Sequence, residues 1–293
     1  MLTVQQIING LLLGGVLALV ALGFSLVWGI LNIINIAHGS FVMIGAFVTY
    51  WLFDLFGVDP FLSIPISMLV LFVLGYAIQR GIINWVVRAP ALITLLLTFG
   101  LDLLLSSLAL LWWKADVRSV NPSYGGSRIQ FGTLVVPYVQ LSTLTLALAI
   151  TALLWLFLAR TRLGQAIRAT AYDHTGAKVV GISLGSIYAV TFGIGAAIAG
   201  AAGSLVAVVR PISPTMGASY TVLAFAICIL GGLGNVAGAL IGGLIFGLVD
   251  VFGAAWFGAG YADAVVFAIL LVILLLRPQG ILGREYSGGT AEG

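Results

Sequence analysis

The chain has 293 residues, of which 61% are hydrophobic and only 7% charged, with a net charge of +3. A soluble domain carries about 25% charged residues, and a mean hydropathy of +1.20 leaves too little polar side chain to clothe a water-facing globule of this size. Composition therefore excludes a soluble protein, makes the lipid bilayer the main solvent, and points to no nucleic-acid partner.

A membrane-crossing helix needs roughly 20 apolar residues. Apolar runs fall at 6–28, 41–56, 61–79, 92–113, 141–159, 186–209, 219–257 and 262–276. The first 28 residues hold no Lys or Arg, so the opening run lacks the basic n-region of a cleavable signal and reads as a retained span. The run 219–257 is about twice the usual length and contains Gly231-Gly232-Leu233-Gly234-Asn235. It reads as two spans, or as a half-helix followed by a span. The expectation is an all-α, polytopic bundle of eight to ten membrane segments, forming one transmembrane domain over 1–286 with a disordered tail at 287–293.

Basic residues set the orientation. Arg80 and Arg88, then Arg160, Arg162, Arg168 and Lys178, then Arg277 and Arg284 lie in three regions that can share the cytoplasmic side. Lys114, Arg118, Arg128 and Arg210 then fall outside. An outside N-terminus with an inside end requires an odd number of crossings, which favours nine. The stretch 114–138 holds Pro122, Gly125, Gly126 and Pro137 and reads as an external loop. The stretch 160–185 is basic, and its residues 165–180 lack Pro and favour a short helix outside the membrane.

Glycine is abundant, with 38 residues. Gly195, Ala199 and Gly203 share one helix face, Gly234, Gly238 and Gly242 another, and Gly10 and Gly14 a third. Small residues four apart let helix backbones approach closely in lipid.

Few residues could carry chemistry. The two lysines, Lys114 and Lys178, do not follow a Gly-x-x-x-x-Gly pattern, so the chain has no phosphate loop for ATP. His38, His174, Cys228, Glu285 and Glu292 make no metal-ligand spacing, the lone cysteine allows no disulfide within the chain, and no Gly-x-Ser-x-Gly elbow is present. A membrane-embedded enzyme has little support, and no catalytic residue, metal or bound cofactor is expected. Charged groups inside spans are functional candidates. Asp102 lies in mid-run without a basic neighbour, available to bond a serine such as Ser106 or to titrate in a stand-alone, ion-coupled carrier. Asp250 and Asp263 sit nearer the ends. Asn32, Asn35, His38 and Ser40 interrupt the apolar sequence between the first two runs. Non-helical backbone at membrane depth is tolerated where protein or a wet cavity satisfies it, so Asn32, Asn35 and His38 are candidate lining of a substrate path. An ordinary capped turn is the competing reading.

Four blocks together resemble the branched-chain amino acid ABC permeases. They are Asn35-Ile36-Ala37-His38-Gly39 followed by Met43-Ile44-Gly45-Ala46-Phe47; Leu163-Gly164-Gln165-Ala166-Ile167-Arg168-Ala169 with Asp173, Ala177 and Gly181-Ile182; Leu230 to Asn235 with Gly238, Gly242 and Gly243; and Arg277-Pro278-Gln279-Gly280-Ile281-Leu282-Gly283. The resemblance implies an importer in the bacterial cytoplasmic membrane. This subunit would pair with a second, related permease on two cytoplasmic P-loop ATPase subunits, which use the ATP, and an external solute-binding protein would deliver a branched-chain amino acid. Related permeases carry urea, short amides or other amino acids. The resemblance also implies that Gly164, Ala166, Ile167, Arg168, Thr170, Ala171, Asp173 and Gly181 belong to an ATPase-coupling loop, with Ala166, Ile167, Thr170 and Ala171 as the docking face. The acidic position of the older coupling consensus is loosely matched, by Ala169-Thr170-Ala171-Tyr172-Asp173.

Overall fold

A computed structural model describes residues 2–87, 89–132, 134–277 and 279–283. Arg88, Arg284, Pro278 of the last motif and the tail 287–293 lie outside the described residues.

Helices α1 (Leu2–Leu31), α2 (His38–Phe56), α3 (Ile64–Gly81), α4 (Ala91–Trp113), α5 (Tyr138–Arg160), α8 (Leu184–Val209) and α10 (Val236–Phe257) are each long and apolar enough to cross a bilayer. Helices α9 (Gly217–Gly231) and α11 (Ala262–Leu276) are shorter and equally apolar. Between α5 and α8 lie two short helices, α6 (Arg162–Tyr172) and α7 (His174–Val179). The run 219–257 thus divides at its glycine block. There Gly232 and Gly234 take φ of 104° and 78°, which side-chain-bearing residues rarely adopt.

The stretch 114–138 is not wholly irregular. Strands β1 (Arg128–Phe131) and β2 (Leu134–Pro137) form an antiparallel hairpin in which Arg128 faces Pro137 and Phe131 faces Leu134.

The helices order themselves by how much of their surface the protein keeps. Within α1 and α8, 89% and 83% of the most apolar window is buried, against 17% in α4. Leu92, Leu96, Leu103, Leu111 and Trp112 of α4 are exposed, as a lipid-facing helix requires. Glycine makes the centre possible. A Cβ at Gly23 would lie 2.5 Å from the Gly195 carbonyl oxygen, one at Gly14 2.8 Å from that of Gly243, and one at Gly45 2.5 Å from that of Gly200. The small-residue faces on α1, α8 and α10 are therefore helix contacts, made by van der Waals packing where lipid gives no hydrophobic drive.

Two ends can be told apart. At one, His174 reaches Ile30, Asn84 reaches Gly185 and Ser25 reaches Asn235. Arg80, Arg160, Arg162, Arg168, Lys178 and Arg277 belong to helices that end or begin there. At the other, Gln5 meets Val135, Tyr124 meets Asp59 and Arg118 pairs with Ile212. Lys114, Arg118, Arg128 and Arg210 lie at this hairpin end.

The chain traces one arrangement twice, in opposite directions. A long central helix (α1 or α8) is followed by non-helical chain, then by a helix that starts within the bundle (α2 or α9). A third helix (α3 or α10) packs along the other set's central helix. Inverted repeats of this kind place broken helices near the middle of a membrane.

Candidate substrate path and coupling surface

Helix α1 ends where Asn32 takes φ of 54°, and residues 32–37 continue as non-helical chain. This segment runs back into the bundle. His38, the first residue of α2, donates from Nε2 to the Val20 carbonyl at 2.8 Å. Val20 lies eleven residues before Leu31, or about 16 Å of helix rise. The exposed backbone polar groups along the way find side chains. Thr98 of α4 donates to the Ile34 carbonyl (2.9 Å) and Thr221 of α9 to the Ile36 carbonyl (2.8 Å). Thr221 Oγ1 also accepts the Gly39 amide at 2.8 Å. One hydroxyl thereby joins the starts of α2 and α9. The contact is tight: a Cβ at Gly39 would meet the Gly217 carbonyl and Thr221 Oγ1.

The candidate path residues separate into three roles. Asn32 is exposed and lines a cavity of about 560 Å³ at the basic end, with Thr94, His174, Lys178 and Tyr188 among the other walls. Asn35 is 2% exposed, and its Oδ1 has no hydrogen-bond partner. A buried acceptor left unmade costs about 1–3 kcal/mol, so this oxygen is a place where a donor would be stabilised. His38 is buried, bonded to Val20 and set edge-on to Phe24 at 5.5 Å. It clamps α2 to α1, in place of the path-lining role expected for it.

Asp102 of α4 joins Asn35 and His38 around the start of α2. Its Oδ1 accepts the Ser40 hydroxyl at 2.5 Å, and Ser40 Oγ lies 3.3 Å from Ser106 Oγ. Ser106 is thus linked to Asp102 through Ser40. Thr98 and Thr221 were not singled out from the sequence, and Ser40 was noted only as part of the polar break between the first two runs. A signal for Thr98 exists, since Thr94, Thr98, Asp102 and Ser106 recur every four residues and make a polar stripe on an otherwise apolar helix.

The stretch 165–180 is two helices, because Asp173 leaves helical geometry at φ −150° and ψ 109° and restarts the chain. Its side chain caps α7 by accepting the Thr175 amide at 2.8 Å, while Thr161 caps α6 by accepting that of Gly164 at 2.9 Å. Gly181 follows α7 with φ of 85°, where a glycine carries no strain. Gly164 lets α6 lie against the end of α5, since a Cβ there would be 2.5 Å from the Leu158 Cα.

Three of the four expected docking residues are turned inward, and Ala171 alone stays exposed. Ile167 and Thr170 are buried, and Ala166 packs on the core. An apolar stripe on a short amphipathic helix is drawn first to the large apolar surface beside it, here the helices of its own bundle. The exposed face is instead Leu163, Arg168, Ala171 and Tyr172, continued by Val179 and Val180. His174 Nε2 lies 3.2 Å from the Ile30 carbonyl, so α7 touches α1 two residues before the break at Asn32.

The last motif is also placed. Ile281 and Leu282 donate their amides to the Leu230 and Gly231 carbonyls at 2.9 and 3.0 Å, and Asn235 Nδ2 donates to the Leu282 carbonyl at 2.9 Å. Outside the apolar helices, Tyr124 donates to Asp59 Oδ2 at 2.7 Å. Burial and then the Asp59 carboxylate push its phenol well above the usual range, so it remains a donor and ties the stretch before the hairpin to the turn between α2 and α3.

Residues 6–275 match the family described as the branched-chain amino acid transport system permease component. The chain is 35% identical to the high-affinity branched-chain amino acid transport system permease protein BraD of Pseudomonas aeruginosa, over 96% of this chain and 95% of that protein. It is 34% identical to LivH of Escherichia coli K12, of the same description, over 96% and 95%. It is 29% identical to a probable branched-chain amino acid transport permease protein LivH of Methanocaldococcus jannaschii, over 96% and 93%. No solved structure matches the chain. The four motif blocks, the bundle of apolar helices and a match that runs from α1 into α11 agree: this chain belongs to the family of branched-chain amino acid transport permeases.

Proposed function

We propose that the chain is one permease subunit of an ATP-driven importer of branched-chain amino acids, placed in the cytoplasmic membrane with its basic end inside. The observation that carries this reading is the family match over residues 6–275. It is supported by a multi-pass bundle whose sequence holds no phosphate loop, which leaves any ATP hydrolysis by that route to a partner. A second permease, two P-loop ATPase subunits and an external binding protein complete the machine. ATP binding can drive transport only by stabilising one conformation of the permease over another. The exposed face of α6 and α7, with Leu163, Arg168, Tyr172 and Val179, is the surface on which an ATPase would act. Its motion would reach Asn32 directly through the contact of His174 with Ile30.

The test is to isolate the tagged chain from its native membrane in mild detergent, identify its companions by mass spectrometry, and reconstitute the particle. The expected particle contains a second permease and P-loop ATPases and takes up leucine only with ATP. Leucine uptake by a single-chain particle driven by an ion gradient would overturn the reading. The substitution Asp102→Asn makes the same division: an ATP-driven importer keeps ATP-dependent uptake, whereas a carrier that titrates Asp102 loses its coupling.

A further inference from the structure

At the hairpin end a cavity of about 610 Å³ opens among the starts of α1 and α5, the end of α8 and the later part of α10. Its walls are of two kinds. Leu12, Leu13, Val209 and Val251 make an apolar side, while Asn9, Gln140 and Arg210 bring two amides and a guanidinium. Arg210 is the one charged residue among those that line it. It is exposed, yet its base is fixed, because its amide donates to the Val206 carbonyl at 2.9 Å.

The cavity has a roof on a clip. Gln5 Nε2 donates to the Val135 carbonyl at 2.7 Å, and the Val135 amide donates to Gln5 Oε1 at 2.9 Å. A side-chain amide thus takes the place of a neighbouring strand on the free edge of β2. Gln5 Nε2 also donates to Asn9 Oδ1 at 2.9 Å. A hairpin held this way can lift without unfolding either strand or helix.

We propose that this cavity is a binding site for a zwitterionic amino acid with an apolar side chain, carboxylate on Arg210 and side chain against Leu12, Leu13, Val209 and Val251. The inference rests on the importer reading, which brings an external solute to this end. A guanidinium pairs with a carboxylate through two parallel hydrogen bonds, and the volume lies within the range of small-molecule sites. The Gln140 amide oxygen is the acceptor offered to the ammonium group. Since no acidic side chain lines the walls among the described residues, a lysine or arginine substrate would bring a second positive charge without a partner there, which is discrimination by an unpaired charge.

The experiment uses the assembled transporter in liposomes and a leucine analogue bearing a side-chain diazirine, photolysed and located by peptide mass spectrometry. Label is expected on Leu12, Leu13, Val209 or Val251, competed by leucine and not by lysine. It should fall about tenfold in Arg210→Gln and recover in part in Arg210→Lys, the loss of a hydrogen-bonded charge being of that size. Val251→Trp, which fills the cavity and leaves the charge in place, should abolish it too. The recovery in Arg210→Lys, with an unchanged melting temperature in all three variants, separates a lost site from a chain that fails to fold. Label elsewhere, or label unchanged in Arg210→Gln, overturns the proposal. So does an Arg210→Gln transporter that only loses affinity for its external binding protein. ATP-driven leucine uptake without label at these residues sinks the site alone. Competable label here without ATP-driven uptake sinks the importer reading alone.

Discussion

Two interruptions of the bundle, residues 32–37 and residues 232–235, are satisfied in different ways. The second is tied to residues 281–282 and to Ser25 of α1, and among the described residues none of its buried side-chain polar atoms is unmet. The Gly232 amide bonds back to Cys228 at 2.9 Å, Asn235 caps Gly238 at 3.1 Å, and the carbonyls of Leu230 and Gly231 are taken by the amides of Ile281 and Leu282. The first borrows its partners from separate helices, Thr98 from α4 and Thr221 from α9, and leaves Asn35 Oδ1 without one. A joint whose buried side-chain polar groups all have partners gains nothing by opening, whereas a joint with an unmet acceptor offers a place for a polar solute. The first break is therefore where a polar path can open, and the second is a fixed corner.

The largest expected effect comes from removing the hydroxyl that holds the first break together. Thr221→Val keeps the shape and strands the half-buried Ile36 carbonyl and the buried Gly39 amide. The cost is about 2–6 kcal/mol at about 1–3 per unmet group, read as a fall in melting temperature of the purified chain, with loss of uptake. An unchanged melting temperature would show that the contact between α2 and α9 does not hold this joint.

Next comes the second break. Asn235→Ala loses the cap of α10 and the bond to Leu282, a cost of about 1–2 kcal/mol. Uptake by the surviving folded protein should stay near normal, because a fixed corner takes no part in movement. A selective loss of uptake at unchanged stability would reverse the comparison.

Asn35→Leu should then cost little, within about 1 kcal/mol, because it removes an acceptor that has no partner. Its uptake should nonetheless fall several-fold, a separation of activity from stability that marks a path residue. Normal uptake would return Asn35 to the status of a buried turn residue.

The smallest stability effect is at the coupling surface. Tyr172→Asp and Val179→Asp change exposed side chains, so melting should move by less than about 0.5 kcal/mol equivalent. ATP hydrolysis by the assembled complex should no longer be coupled to uptake. Full coupling in the double variant would place the docking surface elsewhere.

Much of this architecture was legible because lipid imposes a simple rule on length and apolarity. The spans, the division at Gly231–Gly234 and the glycine contacts of Gly14 and Gly195 follow from residue type alone. The hairpin at 128–137 was missed because four-residue strands leave too short a pattern to read. Asp173 was missed as a breaker because an aspartate suits a helix cap as well as a helix surface, and only its backbone decides. Most of the coupling face was inverted for a general reason. Chemistry shows that Ile167 wants burial, but it does not say whether its own bundle or a partner will provide it. Among the candidate site residues, Asp102 and Asn35 were found as polar groups out of place. Thr98 and Thr221 were passed over because lone hydroxyls are common in apolar helices.

The close fit of α1 against α10 has a consequence for biogenesis. Gly10 and Gly14 of α1 are shaped for Gly243, Gly247 and Leu248, which are synthesised more than 220 residues later. The first helix must wait in the bilayer with its glycine face open while most of the remaining helices are inserted. Assembly is accordingly locked late, and a chaperone or insertase that shields a glycine-rich stripe would have its longest engagement with α1.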